Sequence, residues 1–148
     1  MVNWTLAAVM GSHTLMAVLW AGGYLVTSML VVPAADRHDA PEFALDVLDS
    51  LKWFAVGGIV VMGGSGGAAL WVLYDNSLPE GTRGTALIAM MTLYGVFGLT
   101  SLWAWWETRN ARADGVSSLP TRLKMAFRTN ALVATLLVLN ASVIGYVA

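Results

Sequence analysis

Cysteine is absent from this 148-residue chain and charge is scarce, with eight Lys or Arg and nine Asp or Glu making 11% of it. The first absence excludes disulfides, thiolate metal sites and iron–sulfur clusters. The second excludes an ordinary soluble domain, in which about a quarter of the residues are charged. Basic residues are too few and too scattered for a nucleic-acid surface. No phosphate-binding glycine loop and no serine–histidine arrangement occurs. Histidine is nearly absent too: there are only His13 and His38.

What is present is apolar. Hydrophobic residues make up 57% of the chain, and the mean hydropathy is +0.67. Four apolar runs, at residues 4–32, 51–74, 85–106 and 125–147, each reach the length of about 20 residues that a bilayer crossing needs. No segment remains for a separate soluble domain. Residues 1–148 therefore read as a single all-α domain, a polytopic membrane protein built as an antiparallel four-transmembrane-helix bundle. The first run lacks a basic leader and is about twice the length of a signal-peptide core, so it reads as a retained helix stopped by Pro33. The acidic linker after it predicts a helix starting at Asp39, with Glu42 as its capping-box partner, that runs on into the second span.

Charge placement predicts the orientation. Arg37, Lys52, Arg109, Arg112, Arg122, Lys124 and Arg128 belong to the first and third linkers, and Arg83 alone to the second. By the positive-inside rule both termini lie outside, in a cell membrane. Trp4, Trp71, Tyr74 and Tyr146 then mark the outer interface, and Trp53, Trp103, Trp105 and Trp106 the inner one. Arg128 enters the fourth span, where its stem reaches back to the headgroups.

With that orientation the unusual intramembrane residues share one layer in the outer half of the bilayer. His13 lies roughly 13 Å below the outer end of its helix, at 1.5 Å per residue. The GGSGG cluster at 63–67, Met90 with Met91, and Asn140 fall at comparable depths in the other three spans. Met10, His13, Ala17, Trp20, Tyr24 and Thr27 follow each other at three- and four-residue steps, the spacing of a seam turned toward a bundle interior.

Three readings of His13 stay open. It is a neutral imidazole bonded to a polar neighbour such as Ser65 or Asn140. Or it is an axial ligand of haem b, with Met91 or Met90 opposite and Gly63, Gly64 and Gly67 giving the flat macrocycle room. Or it joins Met10 and Met16 in an M-x-x-H-x-x-M copper site, soft enough for Cu(I). The glycines have a plainer use as a G-x-x-x-G packing face. His38 and the carboxylates Asp39, Glu42, Asp46 and Asp49 read as a solvated linker, not as a catalytic pair. Besides the lipid bilayer, the small-residue faces leave room for a homo-oligomer or a membrane-complex partner.

His13, then Trp20 with Gly22 and Gly23, then Pro33 closing the span, resembles the opening of the CopD-like copper-resistance membrane proteins. The four-helix protoporphyrinogen oxidases are similar there, and LKWFAVGGIVVMGGSGG in the second span resembles both groups. The likeness covers about the first 70 residues. The CopD-like resemblance implies copper handling, with the membrane histidine and methionines as contacts; by position it carries over His13 as a candidate ligand and Trp20, Gly22 and Gly23 as packing elements. A lysine in the third span, expected of the oxidases, is missing here.

Overall fold

A computed structural model describes residues 4–75 and 77–146, with side chains through 143. The expected span end at 147 and the side chain of Tyr146 lie outside the described residues. Four helical stretches are each long and apolar enough to cross a membrane. The first is composite: α1 (Trp4–Val26), one widened turn at Thr27–Val31, and α2 (Val32–Arg37). It is followed by α3 (Pro41–Tyr74), α4 (Gly81–Ala113) and α5 (Thr121–Tyr146).

Pro33 does not stop the first helix. It is the second residue of α2, and the chain stays helical through Arg37. A proline inside a helix lacks one N–H and crowds the carbonyl four residues back. The π-type turn just before it, in which the Val32 N–H bonds to the Thr27 carbonyl, widens the backbone where that crowding falls. The expected capping box at Asp39 also fails. Asp39 takes a left-handed φ of 47°, Ala40 precedes the helix without a side-chain cap, and Pro41 starts it. Proline suits a first helical turn because its missing N–H would have no intrahelical partner there. At 34 residues α3 is about 51 Å long, against a hydrocarbon core of about 30 Å. Its acidic beginning is therefore the part that projects beyond the apolar layer.

The long helices pack in a ring. α1 lies along α3 and α5, and α4 lies along the same two, so α1 and α4 face each other across the bundle. Aromatic rings bridge that gap. Trp20 stacks at a tilt on Phe97, with centroids 4.5 Å apart, and meets Tyr94 edge-on at 6.0 Å. Tyr24 meets Phe97 edge-on at 5.7 Å and also stacks on Phe127 of α5 at 5.4 Å. Trp20, Tyr24, Phe97 and Phe127 are all buried, while Leu15, Val18, Met29, Val60, Leu99 and Leu132 stand exposed. Apolar side chains on the outside and a tightly packed aromatic centre are what lipid solvation produces. Hydrocarbon does not drive helices together, so close packing and interhelical hydrogen bonds must.

Small residues permit that packing. The indole of Trp20 occupies the space beside Gly58, and Met16 reaches over Gly57. At the short turn into α4, a Cβ on Gly84 would fall 1.8 Å from the Pro79 carbonyl oxygen, so only glycine lets the backbones approach there.

Candidate functional site

His13 sits on α1, half-buried, facing the middle of the glycine cluster on α3. Its Nδ1 lies 2.8 Å from Ser65 Oγ. The Ser65 hydroxyl proton is already committed: Oγ donates to the Val61 carbonyl one turn back, at 2.5 Å. A hydroxyl carries one proton and two lone pairs, so Ser65 can only accept from the imidazole. The network thus assigns the proton to Nδ1 and leaves the lone pair of Nε2 with no hydrogen-bond partner among the described residues. Gly66 lies beside the ring: a Cβ there would stand 3.7 Å from His13 Cε1, an ordinary van der Waals contact, so the approach does not depend on glycine.

The residues expected around His13 separate. Of the glycines, Gly64 and Gly67 have nothing within 4 Å of where a Cβ would be, so that face of α3 is open. Gly63 instead faces Tyr94, whose hydroxyl donates to the Ile59 carbonyl at 2.5 Å. Met16 turns toward Gly57, Met10 is 40% exposed, and Met91 is 55% exposed on α4, across the bundle. Asn140 does not serve His13. It donates to the Ala86 carbonyl at 2.9 Å and lines an apolar groove of about 550 Å³ between α4 and α5. The single layer inferred from depth is thus two places, His13 with Ser65 between α1 and α3, and Asn140 with Ala86 between α4 and α5. The seam through Met10 and Thr27 is buried only at its lower end, where Trp20, Tyr24 and Thr27 lie inside. His38 is exposed in its linker. Among the described residues no group of three or more His, Cys, Asp or Glu side chains converges.

A second polar layer lies deeper and was not anticipated. Asn130 on α5 is wholly buried, donates to Ser101 Oγ at 3.2 Å and accepts the Thr100 hydroxyl. Tyr24 on α1 adds a long bond to the Ser101 carbonyl at 3.4 Å. The signal was available: an amide inside an apolar span needs a partner, the argument applied to Asn140. Beside this layer the Trp20 indole N–H is buried with no acceptor among the described residues.

The chemistry on offer at His13 is therefore that of one oriented imidazole with a free Nε2, while the open glycines Gly64 and Gly67 point away from the Ser65–Gly66 side of α3 that meets the ring. No family model, no curated protein and no solved structure matches the chain.

Proposed function

We propose that this chain is a small integral membrane protein carrying a metal centre, haem b or copper, at His13 in the outer half of the bilayer. One observation carries the reading, the pinned Nδ1 of His13 with its unengaged Nε2. Fixing one ring nitrogen by a hydrogen bond is how proteins orient the other toward a metal. Haem is the better fit of the two. A porphyrin brings four nitrogen donors of its own, so one protein ligand suffices. Copper would need sulfur from Met10 or Met16, and Met16 is turned toward Gly57. Bound haem would supply redox chemistry, and this chain's own contribution would be the orientation and exposure of His13.

The topology belongs to the same proposal. Cross-helix bonds at Asn130–Ser101 and Asn140–Ala86 support neighbours running in opposite directions. Seven of eight basic residues at the other end from Arg83 support both termini on the outer side of a cell membrane. A second reading rests on the open glycine face of α3: an accessory subunit, without a cofactor, that packs against another membrane helix through Gly64 and Gly67.

The visible spectrum and metal content of the purified protein, expressed with haem and copper supplied, separate these. A Soret band lost in His13→Ala is the expected result. Stoichiometric copper lost in the same variant would move the assignment to copper. A folded, colourless and metal-free wild-type protein would leave the accessory-subunit reading.

A further inference from the structure

The groove between α4 and α5 has a volume of about 550 Å³, within the range of about 300–1,000 Å³ that ligand sites occupy. Leu93 of α4 and Leu136, Leu139 and Val143 of α5 wall it, the last three of them exposed. Two polar side chains share the wall, Thr92 and Asn140, and no charged one does. The Thr92 hydroxyl proton is used within its own helix, donated to the Ile88 carbonyl at 2.9 Å.

Asn140 is only half engaged. Its Nδ2 donates one proton to the Ala86 carbonyl of α4, which fixes which end of the amide is nitrogen. The second N–H and the oxygen Oδ1 have no partner among the described residues. Asn140 lies about 24 Å along α5 from Lys124 and about 9 Å short of the other helix end. With Lys124 at the headgroups of a hydrocarbon layer about 30 Å thick, Asn140 falls inside that layer. Hydrocarbon gives an amide oxygen no donor, and a polar group left unsatisfied there is costly.

We propose that the α4–α5 groove binds a neutral long-chain alcohol from the bilayer, with its hydroxyl at Asn140 and its chain along Leu136 and Leu93. A hydroxyl donates one proton and keeps two lone pairs, so a single group can serve both Oδ1 and the spare N–H. A ketone, an ether or the ester of a bulk phospholipid accepts only, and would leave Oδ1 unpaired. A phosphate or ammonium would be an uncompensated charge in a groove that has none to offer. Leu136 and Val143 are about 10 Å apart along α5, so the apolar wall continues past the amide as an alkyl or isoprenoid chain requires. The site rests on the bundle lying in a bilayer and is independent of any cofactor at His13.

Geranylgeraniol against its methyl ether tests it, by native mass spectrometry of protein released from phosphatidylcholine nanodiscs containing one or the other. Incorporation into nanodiscs of phosphatidylcholine alone establishes the bilayer location separately. Wild-type protein should retain the alcohol about fivefold better than the ether, the factor for one net hydrogen bond of about 1 kcal/mol. Asn140→Leu should retain the two equally. Leu136→Trp, at an exposed position, fills the groove and should lose both. Leu99→Trp, exposed on α4 outside the groove, should bind as wild type does, and so should His13→Ala. No retention of the alcohol by wild type, or equal retention of alcohol and ether, would overturn the proposal. Undiminished retention in Leu136→Trp would show that the groove is not the site. Unchanged helicity verifies that each variant folds, and the Leu136→Trp result stands even where Asn140→Leu does not fold.

Discussion

The indole of Trp20 takes up the volume that Gly58 leaves empty: a Cβ on Gly58 would stand 2.2 Å from Cε3 and 2.3 Å from Cδ2. Trp20 is wholly buried and also stacks on Phe97, so it has nowhere to withdraw. Gly58→Ala should therefore force α1 and α3 apart. Overpacking of this kind costs about 1–3 kcal/mol. Gly64→Ala, with nothing within 4 Å, should stay within about 0.5 kcal/mol of wild type. Unfolding midpoints in detergent compare the two, and equal effects would contradict the packing described.

The buried amide of Asn130 makes a second prediction. It ties α5 to Ser101 and Thr100 of α4. Asn130→Ala should lower stability by about 1–3 kcal/mol, through lost hydrogen bonds and the cavity left behind. Asn130→Ala and Ser101→Ala together should cost less than their sum, because each removes the same bond. A coupling near 0.6 kcal/mol is expected, the average for interhelical bonds in membranes. Strict additivity would show that the pair is not coupled.

Ser65→Ala tests the ring of His13 directly. With the hydroxyl present, the imidazole should be a single tautomer protonated at Nδ1. Without it the two neutral tautomers should mix, since nothing then distinguishes the nitrogens at Nδ1. Nitrogen-15 spectra of labelled histidine read this, after His38→Gln removes the other ring. A spectrum unchanged by Ser65→Ala would show that the serine does not fix the tautomer.

Asp46 and Arg112 form a short ion pair, yet their side chains are 75% and 49% exposed. Solvent screening and side-chain entropy leave such pairs worth about 0–1 kcal/mol. Arg112→Ala should thus shift the unfolding midpoint far less than Gly58→Ala, and added salt should erase the difference. A loss as large as that of Gly58→Ala would make this pair a structural tie.

His13 stood out in the sequence because an imidazole in an apolar run is costly, and the structure does pair it with Ser65. Asn140 and Met91 had seemed equally close, since depth along each helix was the only coordinate available. Depth says nothing about rotation: successive residues turn by about 100°, and one step moves a side chain from the interior to lipid. The same ambiguity drew attention to GGSGG, although Gly57 and Gly58 are where Met16 and Trp20 press. Pro33 misled for a related reason. A proline is a local signal, and whether a helix ends there depends on whether the turn before it can widen.

The sequence alone determined that four helices are apolar enough for a bilayer, because length and composition register the surrounding solvent directly. It also determined that the basic residues gather toward two of the three linkers. Only the tertiary structure decided that His13 meets Ser65 and that Asn130 closes a buried polar layer with Ser101. Those outcomes depend on the rotation and register of each helix against its neighbours. Rotation and register are set by the fit of side chains such as Trp20 against Gly58, which no single helix contains.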